Sequence, residues 1–375
     1  MKAARVILAV LCFAVGMADA RAALDFLLSP AAVNAAASAT IAFTGTLTNT
    51  DATAKIFLND LAVSVSAPAG VTLQRNTFFA NVPGILLPGE SYTGPIFSVT
   101  LGTGSSPADY TATVTVSGGA DVFASGALAD TSFTVLSPAV TISATVPEAS
   151  EFGPVSGAIT VSRTGAAMIP LTVDFTVGGS AVNGTACVVI PPSLTLAAGV
   201  SSANIAVTPI PNNFAEGDRT VLLTLAISPS YNPGADIAGT VTLHDKPADR
   251  WRLQNFGAAA NTPAASDTAS WAHDGVANVV KYGLGIDPTV GDVLELPQPT
   301  MVSGYLTLSF VPNPNATDVQ FSVEGCPDLA VWSVANVEAV TLSNPMPPTR
   351  LTYRYRVPFG STGAAFLRLK MDRVP

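Results

Sequence analysis

Chemistry in this sequence has little to work with beyond carboxylates. Two histidines and three cysteines stand among 375 residues, too few for a zinc cluster, a set of imidazole bases or a disulfide framework. The acids come in close pairs, Glu148 with Glu151 and Glu216 with Asp218. Such pairs suit either the acid and base of a glycosidase or the oxygen shell of a hard cation. At turns between strands they read as solvated groups or cation ligands rather than catalysts. His244 and His273 read as solvated side chains. Gly102-Thr103-Gly104 lacks the third glycine and the following helix of a dinucleotide loop, and no G-x-S-x-G, G-x-x-x-x-G-K-[ST], C-x-x-C or H-E-x-x-H pattern occurs. Trp251, Trp271 and Trp332 could stack on sugars, although packing in a core or at a domain junction is the simpler use. No catalytic residue is expected.

The elements that must position these groups are strands. Ile41 to Thr44, Leu61 to Val65 and Thr111 to Val116 alternate polar and apolar residues, the period of a strand with one buried face. Pro68-Ala69-Gly70, Pro88-Gly89 and Ser117-Gly118-Gly119 punctuate them as breaks, at the spacing of a β-sandwich. The fold class is therefore all-β, with tandem immunoglobulin-like sandwiches and one short helix in the C-terminal module. That helix is expected where Val276, Val279, Val280 and Leu284 keep a helical spacing. The modules are expected at residues 24–137, 139–245 and 246–375, with Ser137-Pro138 closing the first and Lys246-Pro247-Ala248-Asp249 linking the last two. In the second, strands are expected at Ile159 to Ser162, Leu171 to Val177, Asn204 to Thr208, Val221 to Leu225 and Thr240 to Leu243. In the third they are expected at Tyr305 to Phe310, Val319 to Val323, Leu351 to Val357 and Phe366 to Met371.

Composition sets the surroundings. Charged residues make up 11% and the net charge is -9, which repels nucleic acid phosphates and anionic headgroups. Lys2 and Arg5 precede the apolar run Val6 to Met17, and Ala18-Asp19-Ala20 offers the small residues of a cleavage site. Residues 1–22 are thus expected to be a signal peptide, the mature chain beginning at Arg21 or within a few residues. The run is too short to span a bilayer, Leu11 before Cys12 is too bulky for lipoprotein cleavage, and no transmembrane segment is expected after cleavage. With 7% aromatics and a terminal Pro375, an outer-membrane barrel is not expected either. Cys187 and Cys326 then remain, in different modules, as separate thiols.

The middle module carries a recognisable set of phrases: Val146-Pro147-Glu148, Ile159-Thr160-Val161-Ser162-Arg163-Thr164-Gly165, Gly184-Thr185-Ala186, Ala198-Gly199, Phe214 to Val221, and Val241-Thr242-Leu243-His244-Asp245. With them, residues 140–245 resemble a Calx-beta domain, a seven-stranded immunoglobulin-like sandwich of exchangers, integrin β4 and bacterial surface proteins. In calcium-binding members acids from the start, a late loop and the end of the domain converge at one tip. The resemblance implies a metal site of Glu148, Glu216, Asp218 and Asp245. Pro211 and Asn212 replace an Asp pair, and Ala186 replaces another Asp. What is implied is a weak calcium site of roughly 0.1 to 1 mM, with a purely structural sandwich as the alternative.

Trp251-Arg252, Phe256-Gly257, Asp274 to Asn278, Tyr282 to Pro288, Tyr305 to Leu308, Trp332 and Phe366 to Leu369 make residues 250–375 similar to a C-terminal module of secreted bacterial proteins. Its loop resembles a degenerate thrombospondin type 3 or dockerin loop. Ser270, Ala272 and Lys281 stand at ligand positions, leaving Asp274 and Asn278, so the loop is read as metal-free. Phe78 to Gly84 and Leu87 to Pro95 make residues 24–137 similar to an N-terminal sandwich of such proteins. These often end in a sorting tag, which the ending Asp372-Arg373-Val374-Pro375 does not supply. The expectation is an exported, non-enzymatic surface or matrix protein with a scaffold, adhesion or spacer role. Its partner would be a cell-surface or matrix protein or a glycan. The alternative is a carbohydrate-binding accessory protein of a secreted hydrolase system.

Overall fold

In the computed structural model residues 23–65, 71–103, 108–291, 296–341, 349–361 and 364–374 are described. The expected signal peptide and the Pro68-Ala69-Gly70 break lie outside them, as does Gly104. The alternating segments are strands. In β8 (Asp109–Gly119), for example, Tyr110, Ala112, Val114 and Val116 face inward in strict succession.

Strands from the first third form two sheets. One has the order β1 (Leu24–Ser29), β3 (Thr40–Asn49), β7 (Ser91–Leu101), β5 (Val71–Gln74). The other runs β2 (Ala32–Asn34), β9 (Gly126–Leu136), β8, β4 (Ile56–Val65), β6 (Ile85–Leu86). Phe43 and Phe97 from the first sheet stack at 4.9 Å, and Phe133 from the second lies 4.7 Å and 5.2 Å from them. This trio joins the sheets, each fully buried ring contributing on the order of 2–3 kcal/mol. Two expectations change here. Ser117-Gly118-Gly119 forms the last three residues of β8, paired through a register shift at Val116/Ser117, and Gly118 admits the Phe57 carbonyl of β4 where a Cβ would stand. A short helix, α1 (Asn76–Asn81), stands where none was expected, with Phe78 buried.

The middle third comprises β10 (Ala139–Val146), β11 (Glu148–Ser150), β12 (Gly157–Arg163), β13 (Leu171–Gly178), β14 (Ser193–Leu196), β15 (Ser202–Val207), β16 (Arg219–Leu225) and β17 (Asn232–His244). Pro147 has no N–H to give a ladder, so the first strand breaks there. β10 pairs with β12 and the start of β17, and β11 pairs with the end of β17. The long β17 joins the strands into the order β14-β13-β16-β17-β10-β12-β15, its later half lying antiparallel to β16. Arg163 is 5% exposed and donates to the carbonyls of Ala167, Ile169, Ala197 and Val200, which ties two loops to the end of β12.

The segment expected to link the last two modules is helical. Helix α2 (Pro247–Phe256) starts directly after β17, with Pro247 in its first turn and Ala248 and Asp249 buried. Beyond it lie α3 (Asn278–Leu284), the sheet β18 (Thr300–Val302), β19 (Tyr305–Phe310), β22 (Leu351–Tyr355), β21 (Val337–Ala339), and the pair β20 (Val319–Cys326) with β23 (Phe366–Arg373). Trp332 is outside any strand and half-buried, with the Arg368 guanidinium 4.5 Å from its ring. Trp251 and Trp271 pack with Phe256 and Tyr282. No helix among the described residues is long and apolar enough to cross a membrane.

Cys187 and Cys326 are free and buried. A thiol reagent is expected to find none in the folded chain lacking its leader and two in denaturant. A reducible cross-linked peptide pair would contradict this.

Candidate metal centre

One end of the middle sandwich gathers the charged residues, and strand register explains why. Glu148 pairs with Thr242 and Ser150 with His244, while Arg219 opens β16 opposite Leu243. The chain therefore brings Glu148, Arg219 and His244 to one edge although they are far apart in sequence. Asp245 follows His244 and reaches back. Its Oδ2 accepts the backbone N–H groups of Glu216 and Gly217 at 2.9 Å and 2.7 Å, and Gly217, at φ 78, permits the turn.

The four expected ligands divide into two groups. Glu216 and Asp245 join Glu151, with ligand atoms of all three carboxylates within 4.8 Å of one another. Glu148 and Asp218 instead clasp His244, whose Nε2 meets Glu148 and whose Nδ1 is 2.8 Å from Asp218. Sequence reasoning paired Glu148 with Glu151 and Glu216 with Asp218; in the fold each member goes to the other group. Glu151, named in the sequence only as the pair of Glu148, stands outside the expected ligand set because its burial, 2% exposed, depends on contacts some sixty positions away. Arg219 stood inside a quoted phrase with no role assigned.

Arg219 is the cation of the first group. Its Nη2 lies 3.1 Å from Glu151 and 2.6 Å from Glu216. Asn212 donates to Glu216 at 2.8 Å and to Glu151 at 3.3 Å, so the amide replacing an expected Asp supplies donors where a carboxylate would have supplied charge. Three carboxylates against one guanidinium leave two negative charges. Burial pushes the Glu151 and Asp245 carboxyls up, the neighbouring acids add to the rise, and Arg219 opposes it. Asp245 Oδ1 is buried without a hydrogen-bond partner. An orphaned carboxylate oxygen among hard oxygen donors fits a calcium-type ion.

The second group joins the end of β17 and the turn before β16 to α2. Arg250, on α2, donates to both oxygens of Asp218 at 2.6 Å and 2.8 Å. Phe214 bridges to Ala260 and Ala215 N–H donates to Ala259, which continues the junction. His244 is therefore not the solvated side chain the sequence suggests. Burial lowers its pKa, but hydrogen bonds to Asp218 and Glu148 outweigh this and raise it above 6.5. A raised folded value gives stability that is complete below the unfolded pKa and is lost as pH rises through the folded one. The unfolding midpoint is expected to fall as pH rises from 6.5, and His244→Gln is expected to flatten that upper slope. An unchanged slope in the variant would contradict the assignment.

In the third module Lys281 occupies the loop read as metal-free. Its side chain is fully buried, with Nζ 2.5 Å from Asp274 Oδ2 and 3.0 Å from the Val290 carbonyl. Ser270 and the Val276 N–H bond the other Asp274 oxygen, and Lys281 holds this carboxyl far below the usual range. Asn278 is not beside it. Its amide is spent on Ala264, Ser266 and Trp271. His273 is exposed.

The sequence matches no protein-family model and no curated protein. Solved structures similar to it include the apo form of the Calx CBD1 domain, at 19% identity over 28% of this chain and 97% of that one, with a TM-score of 0.25. CBD12 from CALX1.2 is 12% identical over 63% of this chain and 82% of that one, with a TM-score of 0.28. The D00-D0 domain of intimin is 12% identical over 59% of this chain and its whole length, also with a TM-score of 0.28.

Proposed function

We propose that this chain is an exported, non-enzymatic surface or matrix protein, a scaffold or adhesive element whose middle module binds calcium weakly through Glu151, Glu216 and Asp245. The observation that carries the calcium reading is the residual charge of that group, two negatives around a buried and unpartnered oxygen of Asp245. One calcium ion balances it without expelling Arg219. Asp245 directly precedes the turn into α2, so an occupied site stiffens the junction and sets the angle at which the third module is held. The leader-like residues 1–22 and the acidic balance support export. Support for a structural rather than catalytic role comes from the acids themselves, since each candidate pair is already engaged with Arg219, His244 or Arg250.

The test is retention of the secreted chain on its own cell envelope with and without calcium. Retention that strengthens with calcium and is lost in Glu216→Gln is expected. A chain that stays in the cytoplasm with Met1 intact, or that never associates with the envelope, would overturn the reading.

A further inference from the structure

Between the middle and C-terminal modules lies a cleft of about 510 Å³, walled by the end of β17, the first turns of α2 and the loop before β20. Such a volume suits a ligand of one to a few rings. Trp251 lines it, held by Phe256 and Tyr282 at 5.2 Å each. Its ring is therefore fixed before any ligand arrives, which lowers the entropy cost of binding.

Around the ring the cleft offers neutral hydrogen-bonding groups. The amides of Gln254 and Asn315 and the hydroxyl of Thr317 line it, are exposed, and make no hydrogen bond to other described residues. Its two cationic side chains, by contrast, are already matched. His244 lies between Glu148 and Asp218, and Arg250 is bonded to both oxygens of Asp218. Asp245, the acid in the lining, spends Oδ2 on two backbone N–H groups and keeps Oδ1 buried, so the exposed free capacity in the cleft belongs to amides, a hydroxyl and an aromatic surface. That set recognises a polyol with an apolar face, and an anion finds no unspent charge there.

We infer that this cleft is a binding site for a neutral saccharide, of which one or two rings rest on Trp251 while Gln254, Asn315 and Thr317 bond its hydroxyls. The inference deepens the adhesion reading by giving the partner a chemical class, and rests on that reading only for export.

The experiment is calorimetry and tryptophan fluorescence of the mature chain with maltose, cellobiose, lactose and chitobiose, and with digalacturonate as the charged counterpart. At least one neutral disaccharide is expected to bind with Kd of about 1 mM or tighter. Binding should weaken at least tenfold in Gln254→Ala and in Asn315→Ala, whose exposed positions leave the melting temperature unchanged. No saturable signal from any neutral sugar, a preference for digalacturonate, or wild-type affinity in both variants would overturn the site. Envelope retention of the two variants separates the readings. Variants that lose sugar binding yet stay on the envelope keep the sugar site and remove it from adhesion, and sugar binding by a chain that does not associate with the envelope removes the adhesion role alone.

Discussion

Replacing Arg252 with Met is expected to destabilise the C-terminal module by about 3–5 kcal/mol, because it removes one partner of a buried ion network. The Arg252 side chain is 1% exposed and lies 2.8 Å from Asp249 and 3.4 Å from Asp267. Arg373, near the end of β23, reaches Asp318 at 3.0 Å and Asp267 at 3.3 Å, and Tyr282 donates to Asp318 at 2.6 Å. The network thereby ties α2, α3, β23 and the loop before β20 where the adjoining apolar cluster is small. Without Arg252, the buried Asp249 and Asp318 and the partly buried Asp267 share Arg373 alone. Denaturant unfolding of Arg252→Met checks this against Arg75→Met, whose ion pair with Asp60 is half exposed and should cost no more than about 1 kcal/mol. Equal losses would contradict the account. Replacing Asp249 and Arg252 together by apolar residues should recover part of the loss.

The second large effect is expected at Lys281. Lys281→Met leaves Asp274 without the ammonium that satisfies it and frees the Val290 carbonyl, so the melting temperature should fall by on the order of 10 °C. Lys281→Glu should fall further, since the new carboxylate faces Asp274 directly. Only this second variant should gain more stability from calcium than the wild type does, because it restores a pair of carboxylates where the wild-type loop carries its own cation. A Lys281→Met variant melting within about 2 °C of the wild type would show that the buried ion pair does not hold α3.

The strands were legible because alternation depends only on neighbours two positions apart. Tyr305 to Phe310 matches β19 in full, and the expected strand at Leu171 to Val177 falls one residue short of β13. Helix α2 was not legible for a physical reason. Its buried positions include Asp249 and Arg252, so the inward face is charged and the hydrophobic period that announces a helix is missing. Pro247, read as a linker residue, is tolerated in a first turn. At the tip, Glu216 and Asp245 were found because their phrases carry them. Glu151, named only as the pair of Glu148, and Arg250 were not placed there, because their roles arise from register across β11 and β17 and from the docking of α2. His244 was misread for the same reason, as nothing in its neighbours announces Glu148 or Asp218.

The most direct test is calcium titration of the mature chain and of Glu216→Gln and Asp218→Asn, followed by calorimetry and by unfolding at 10 mM calcium. A Kd of roughly 0.1 to 1 mM implies stabilisation of about 1.4–2.7 kcal/mol at that concentration. The grouping of Glu216 with Glu151 and Asp245 predicts that Glu216→Gln abolishes the heat and the stabilisation, while Asp218→Asn, which loosens only the His244 and Arg250 clasp, keeps the calcium affinity. No heat and no stabilisation in the wild-type chain, or loss of binding in Asp218→Asn with Glu216→Gln unaffected, would contradict it.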